Sequence, residues 1–140
     1  MKDLLSKLNF KGQGRIALVN AEDSFYNSVS KAVKDVIIDK EIDLRCPYGF
    51  ILLFVKNVSE IEFLTPIAIH NLMDDGILWF CFPKKTSKKH VSEVNRDNGW
   101  KALSNYGFYG VRVVAIDEDW SAMRFRNIKY IKSANRKFPK

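Results

Sequence analysis

The chain has 140 residues, 46% hydrophobic and 13% aromatic, which fits one ordinary domain able to bury a core without disulfide or metal staples. Its two cysteines, Cys46 and Cys81, are far apart and one lies within an apolar run, which excludes a disulfide framework and a zinc site. The net charge of +7 comes from Arg124, Arg126, Lys129, Lys132, Arg136, Lys137 and Lys140, leaving 16 basic against 16 acidic residues before them; that weakens a global argument for nucleic-acid binding.

Lys2, Asp3 and Lys7 interrupt the apolar residues from Met1 to Phe10, so a signal peptide is not expected there. No stretch approaches the roughly 18 apolar residues that span a bilayer. The expected setting is cytoplasmic and reducing, away from membranes.

Leu4, Leu5 and Leu8 have helical spacing, and Gly12 with Gly14 breaks the pattern after them, which predicts a short lead-in helix. Residues 15–20 read as a first buried strand. Phe25, Val29, Ala32, Val33 and Val36 then recur on one face of a helix that starts near Glu22 and Asp23. Val36, Ile37 and Ile38 compete with Ile42 and Leu44 for a short second strand, and residues 46–49 read as a turn. The runs Phe50 to Val55 and Ile77 to Phe82 are wholly apolar, the pattern of strands covered on both faces by helices. Between them, Ser59 and Glu62 have capping-box spacing and Pro66 follows a second start at Thr65. Either a kinked helix or two short ones therefore runs to about Met73. Asp74, Asp75 and Gly76 form the turn before the central strand, and Pro83 ends it.

Trp100, Leu103 and Tyr106 predict a helix closed by Gly107, starting near residues 95–98. Residues 109–116 form another strand, residues 117–120 a tight connection, and residues 121–131 the last strand. Too few residues intervene for a crossover, so these two strands are antiparallel. Ile128 and Tyr130 lie out of phase with Met123 and Phe125, which calls for a β-bulge near Arg126 and Asn127. Residues 1–131 are thus one domain and residues 132–140 a basic tail.

Ligands of open α/β sheets collect outside the carboxyl ends of the strands, where residues 83–90 fall. Lys84, Lys85, Thr86 and Ser87, with Lys88 and Lys89 beside them, are candidates for binding an anion, and Arg124 and Arg126 are candidates to complete the same surface. Trp79, Pro83, Trp120 and Ser121 are structural or site-lining candidates. The plainer alternatives are a solvated lysine loop and arginines that discourage strand pairing between molecules. Ser87, Ser121, Cys46 and Cys81 carry no triad signature, and only two histidines exist to serve as a base. Asp117, Glu118 and Asp119 read as a charged hairpin tip, and His70 has no partner ligand at helical spacing. No catalytic residue and no metal site is expected.

Gly14 to Asn20, Phe50 to Lys56, Asp75-Gly76-Ile77-Leu78-Trp79, Pro83-Lys84-Lys85, Ile116-Asp117 and Trp120-Ser121-Ala122 with Arg124-Phe125 together resemble an uncharacterised bacterial family, a domain of unknown function similar to a truncated class I methyltransferase. The resemblance covers nearly the whole chain. It implies a Rossmann-like sheet and brings no activity with it. The larger enzymes carry a glycine-rich turn after the first strand, whereas here that turn is Asn20-Ala21-Glu22-Asp23-Ser24. Side chains there obstruct close backbone approach, and Glu22 with Asp23 repels a phosphate. Both points argue against nucleotide or methyl-donor binding in the usual mode, and no cofactor is expected.

The expected fold is α/β, a three-layer Rossmann-like sheet of mainly parallel strands with an antiparallel last strand. The expected function is a non-catalytic binding or regulatory domain for a small anion or acidic partner. One alternative is a divergent methyltransferase-like transferase holding its donor between the turn after Asn20 and the loop after Val55. Another is weak nucleic-acid binding through residues 124–140.

Overall fold

The apolar run from Ile77 to Phe82 offers no side for water to solvate, so it is stable only between two covering layers. A computed structural model of the protein, which describes residues 1–131, places it there. It lies in β4 (Leu72–Pro83), with Leu78, Phe80 and Phe82 buried on one face and Ile77, Trp79 and Cys81 on the other. The remaining strands are β1 (Arg15–Val19), β2 (Ile37–Asp39), β3 (Tyr48–Phe54), β5 (Phe108–Ala115) and β6 (Trp120–Asn127). The helices are α1 (Lys2–Lys7), α2 (Asp23–Ala32), α3 (Val58–His70) and α4 (Lys101–Asn105), and a 3-10 turn over Ile128–Tyr130 comes after β6.

The six strands form one sheet in the order β2-β1-β3-β4-β6-β5. The pairs β2–β1, β1–β3 and β3–β4 are parallel, and β6 runs antiparallel to both β4 and β5. Residues of α3 and α4 join the core on one face, and residues of α1 and α2 join it on the other. The chain passes from β1 outward to β2 through α2 on one face, and from β3 to β4 in the opposite direction through α3 on the other. A single crossover hand demands that reversal of faces. The protein is therefore a three-layer α/β domain, mainly parallel with an antiparallel last strand. Among the described residues no helix is long and apolar enough to cross a membrane. The expected basic tail, residues 132–140, lies outside the described residues.

Several local expectations are corrected. Helix α2 ends at Ala32, and Val33 and Val36 reach the core from extended chain beyond it. The second strand is Ile37–Asp39, while Leu44 is exposed. Tyr48 belongs to β3 and not to a turn: its side chain is fully buried and its N–H donates to Asn71 O at 2.8 Å. One continuous helix, with Pro66 inside it, replaces the two candidate starts. Its cap lies two residues earlier than the Ser59–Glu62 spacing implies, because Asn57 Oδ1 accepts from Glu60 N–H at 2.8 Å and Glu60 Oε1 accepts from Lys56 N–H at 2.8 Å.

The Asp74-Asp75-Gly76 segment is a bulge within β4 and not a turn before it. Tyr48 pairs with Leu72 and Phe50 with Ile77, so residues 73–76 loop out of the ladder. Arg126 clamps this bulge by donating to both Asp75 carboxylate oxygens, at 2.7 and 2.6 Å. That ion pair holds the Asp75 carboxyl below its ordinary value. The bulge expected on the last strand sits on β5 instead, where Val111 is inserted between the pairs Gly110–Phe125 and Arg112–Arg124. A side chain at Gly110 would meet Met123 Sδ at 2.7 Å, so a larger residue there requires the Met123 side chain to move aside.

Trp79 ties α1 to the sheet. It is fully buried, and its indole N–H donates to Leu8 O at 2.8 Å, fastening the end of α1 to the centre of the sheet. Trp79→Phe strands that carbonyl and leaves a small void, so urea denaturation should show a loss of about 2–3 kcal/mol. A loss below about 0.5 kcal/mol would show that the bond contributes nothing net.

Candidate functional site

The connections leaving β1 and β3 diverge, and this opens a crevice outside the carboxyl ends of those two strands. Asn20 comes directly after β1 with a left-handed backbone, φ 60°, a conformation that Asn tolerates better than most residues. Its Nδ2 donates to Phe54 O at 3.3 Å across the crevice. Glu22 then caps α2 through an extended backbone, with no side-chain bond to the helix's own N–H groups. Its carboxylate is turned toward the sheet.

Residues 84–99 cross this end of the sheet as a strap. At one side, Lys84 N–H donates to Asp119 O and Ser87 Oγ to Asp119 Oδ1, both at 2.8 Å. In the middle, Lys89 Nζ lies 3.1 Å from Glu22 Oε2, and His90 Nε2 lies 3.1 Å from Glu22 Oε1. On the far side, Ser92 Oγ and Glu93 N–H both donate to Lys56 O at 3.2 Å, and Val94 inserts into the core. The strap is thus fastened to β6, α2 and the end of β3.

Beneath it runs a row of rings: Phe25 on Phe54 at 5.2 Å, Phe54 on Trp120 at 4.9 Å, and Trp120 on His90 at 4.9 Å between centroids. Trp120 Nε1 donates to Glu22 Oε1 at 3.3 Å, so Lys89, His90 and Trp120 converge on one carboxylate. These partners, Lys89 foremost, hold the Glu22 carboxyl below its ordinary 4.5 against the opposing effect of burial. The same contact raises the Lys89 ammonium above its ordinary value. Chemically this is a carboxylate ready to receive a cation or an N–H donor beside an aromatic wall. An open groove of about 700 Å³ lies elsewhere, lined by Trp100, Phe108, Met123 and Phe125. We place the candidate site at the crevice because the polar groups converge there.

Among the residues singled out from sequence, Lys84, Lys85, Thr86 and Ser87 lie at the carboxyl end of β4, with Lys85 and Thr86 exposed. Pro83 pairs with Trp120 in the ladder, and Ser121 pairs with Phe82. Trp79 is a core residue and Trp120 lines the crevice. Arg124 and Arg126 do not join the lysines. Strand β6 runs against β4, so its later residues travel toward the amino ends of the parallel strands, about 14 and 20 Å along β6 from Trp120. The joint surface of Lys84, Lys85, Arg124 and Arg126 does not form. Glu22, read from sequence as part of the acidic helix start and as repelling phosphate, is the centre of the candidate site. Lys89 and His90 come to it from 67 and 68 residues away, and Asp119, read as a hairpin tip, anchors the strap. The missing glycine after β1 was the signal that marked the place. His70 is exposed, and no cluster of metal-ligating side chains occurs among the described residues.

The sequence matches no family model and no curated protein. Solved structures do match its architecture. A ribosomal protein methylase from Lactobacillus delbrueckii subsp. bulgaricus has a TM-score of 0.56 at 13% identity, over 88% of this chain and 74% of that one. An N-methyltransferase from Bradyrhizobium japonicum, in complex with S-adenosyl-L-homocysteine, has a TM-score of 0.56 at 12% identity, over 91% and 84%. A SAM-dependent methyltransferase from Aquifex aeolicus has a TM-score of 0.55 at 13% identity, over 91% and 89%. The fold is methyltransferase-like. At these identities the likeness concerns the α/β Rossmann-like scaffold alone.

A carboxylate with a depressed folded-state value stabilises its closed contacts above its ordinary range and loses them as pH falls through the folded value. For Glu22 that window lies below 4.5, so acidification should release Lys89 and His90 there. The Trp120 indole N–H resonance should shift with Glu22 protonation in the wild type and stay flat over the same window in Glu22→Gln. Identical titrations in the two proteins would show that Glu22 does not hold the strap.

Proposed function

We propose that the protein is a methyltransferase-like transferase whose methyl donor enters the β1–β3 crevice beneath the strap. The observation that carries this reading is the convergence of Lys89, His90 and Trp120 on Glu22, at the switch point of a methyltransferase-like sheet. Glu22 fits the ammonium of an S-adenosylmethionine-type donor, since a carboxylate already held by one ammonium can exchange it for another. The rings of Phe54 and Trp120 supply faces that attract a sulfonium cation. Bound there, the donor would supply an electrophilic methyl group.

The turn after β1 constrains how such a donor sits. With Asn20 bonded to Phe54 O and no glycine through Ser24, the backbone is not open to close approach, so recognition falls on side chains. Lys89 and His90 must leave Glu22 first, so binding and strap opening are one event.

A second reading, the non-catalytic binding domain, is favoured by the same ring row, because Trp120 is 5% exposed and fills the crevice in the closed arrangement. Calorimetry with S-adenosylmethionine and S-adenosylhomocysteine separates the two. On the transferase reading both bind, Glu22→Gln weakens them by about 10- to 100-fold, and Lys89→Ala tightens them by removing the competing cation. No heat at millimolar ligand, in the wild type and in Lys89→Ala alike, would overturn the transferase reading in favour of the binding domain.

A further inference from the structure

On the face of the sheet that α1 covers, β5 and β6 carry a group of arginines that is not fully neutralised among the described residues. Arg112 on β5 and Arg124 on β6 are directly paired across the antiparallel ladder, where like charges repel. Arg126 lies on the same face, about 7 Å further along β6. Asp75 supplies the one carboxylate that pairs with this trio among the described residues, and Arg126 occupies both of its oxygens. Among the described residues, Arg112 donates to the neutral Asn9 Oδ1 alone, at 3.3 Å. The Nε of Arg124 is enclosed and has no hydrogen-bond partner among the described residues. Burial, and then the neighbouring Arg126, lower the proton affinity of Arg124 below the usual arginine value.

The floor of this patch is rigid. Trp79 is the ladder partner of Arg124 on its other side, is fully buried, and is fixed through its indole to Leu8 O. Arg124 is therefore held in the ladder between the exposed Arg112 and the fixed Trp79, partly stripped of water and without a carboxylate partner among the described residues. A tetrahedral oxyanion meets that arrangement well, because each planar fork donates two parallel N–H bonds to one edge of the anion and the added charge cancels the repulsion.

We propose that Arg112 and Arg124, with Arg126 at the rim, form a binding site for a phosphate-type oxyanion. The site lies about 14 Å along β6 from Trp120 at the crevice and stands independently of the transferase reading. Its phosphate is either a free anion or a phosphodiester of a nucleic-acid strand, and both present the same oxygens to the arginines.

The test is thermal unfolding of wild type, Arg112→Gln and Arg112→Gln/Arg124→Gln in inorganic phosphate and in chloride at matched ionic strength. General salting effects raise all three proteins alike, so the difference between them is the signal. At about tenfold excess over the dissociation constant, phosphate should raise the wild-type melting temperature about 3–5 °C more than that of either variant. Arg112 is exposed, so the single variant keeps the fold if the double does not. Anisotropy of a labelled single-stranded oligonucleotide distinguishes the sources. Binding that phosphate displaces and Arg112→Gln weakens assigns the site to phosphodiesters, whereas a phosphate shift without oligonucleotide binding assigns it to a free anion. Equal phosphate shifts in all three proteins, with oligonucleotide binding unchanged by Arg112→Gln, would overturn the proposal.

Discussion

Burial of β4 on both faces is the constraint on which the rest of the architecture depends. A strand whose six consecutive residues from Ile77 to Phe82 are all apolar and all nearly inaccessible needs a helical layer above and another below. Trp79 turns that requirement into a specific attachment, since its indole can be buried only with a partner, and Leu8 O provides one. Once α1 and α2 cover one face and α3 and α4 the other, loop ends carrying polar groups are confined to the two ends of the sheet. Function in such a domain is therefore a question of which charges gather at which end.

At the carboxyl end the answer is a single carboxylate with several suitors. Glu22 could have capped its own helix, but its side chain serves Lys89, His90 and Trp120 instead. That choice trades a local bond for a long-range one, which positions a strap across the crevice without burying an ion pair. The pair stays accessible to water, with side-chain exposures of 60% for Lys89 and 38% for Glu22, so that contact can be broken at small energetic cost. His90 differs, with 11% exposure against the Trp120 ring, and contributes packing as well as polarity.

At the amino end the ion pairing is tighter and the imbalance larger. Asp75 stands in a left-handed backbone, φ 50°, within the β4 bulge, and its two bonds to Arg126 fasten the bulge to β6. Among the described residues, Arg124 and Arg112 receive no such partner.

Hydrophobic periodicity made the α/β class, the two wholly buried strands and the antiparallel hairpin at the end of the chain legible in the sequence, because burial on one or two faces is recorded residue by residue. It failed where a local pattern has two readings. Asp74-Asp75-Gly76 has turn chemistry, yet pairing with β3 on both sides of it drew it into the strand as a bulge. Val33 and Val36 continue a helical stripe, but the backbone turns away after Ala32. The absence of glycine between Asn20 and Ser24 marked the place in the sequence; the groups that fill it come from residues 67 to 98 positions away, whose approach to Glu22 leaves no trace in local spacing. The separation of Lys84 and Lys85 from Arg124 and Arg126 was likewise beyond the sequence, since it depends on the sense in which β6 enters the sheet beside β4. The order of apolar and polar residues determined which segments are buried. Which charges meet was decided only by the tertiary structure, because strand direction and crossover alone choose the end of the sheet at which each loop arrives.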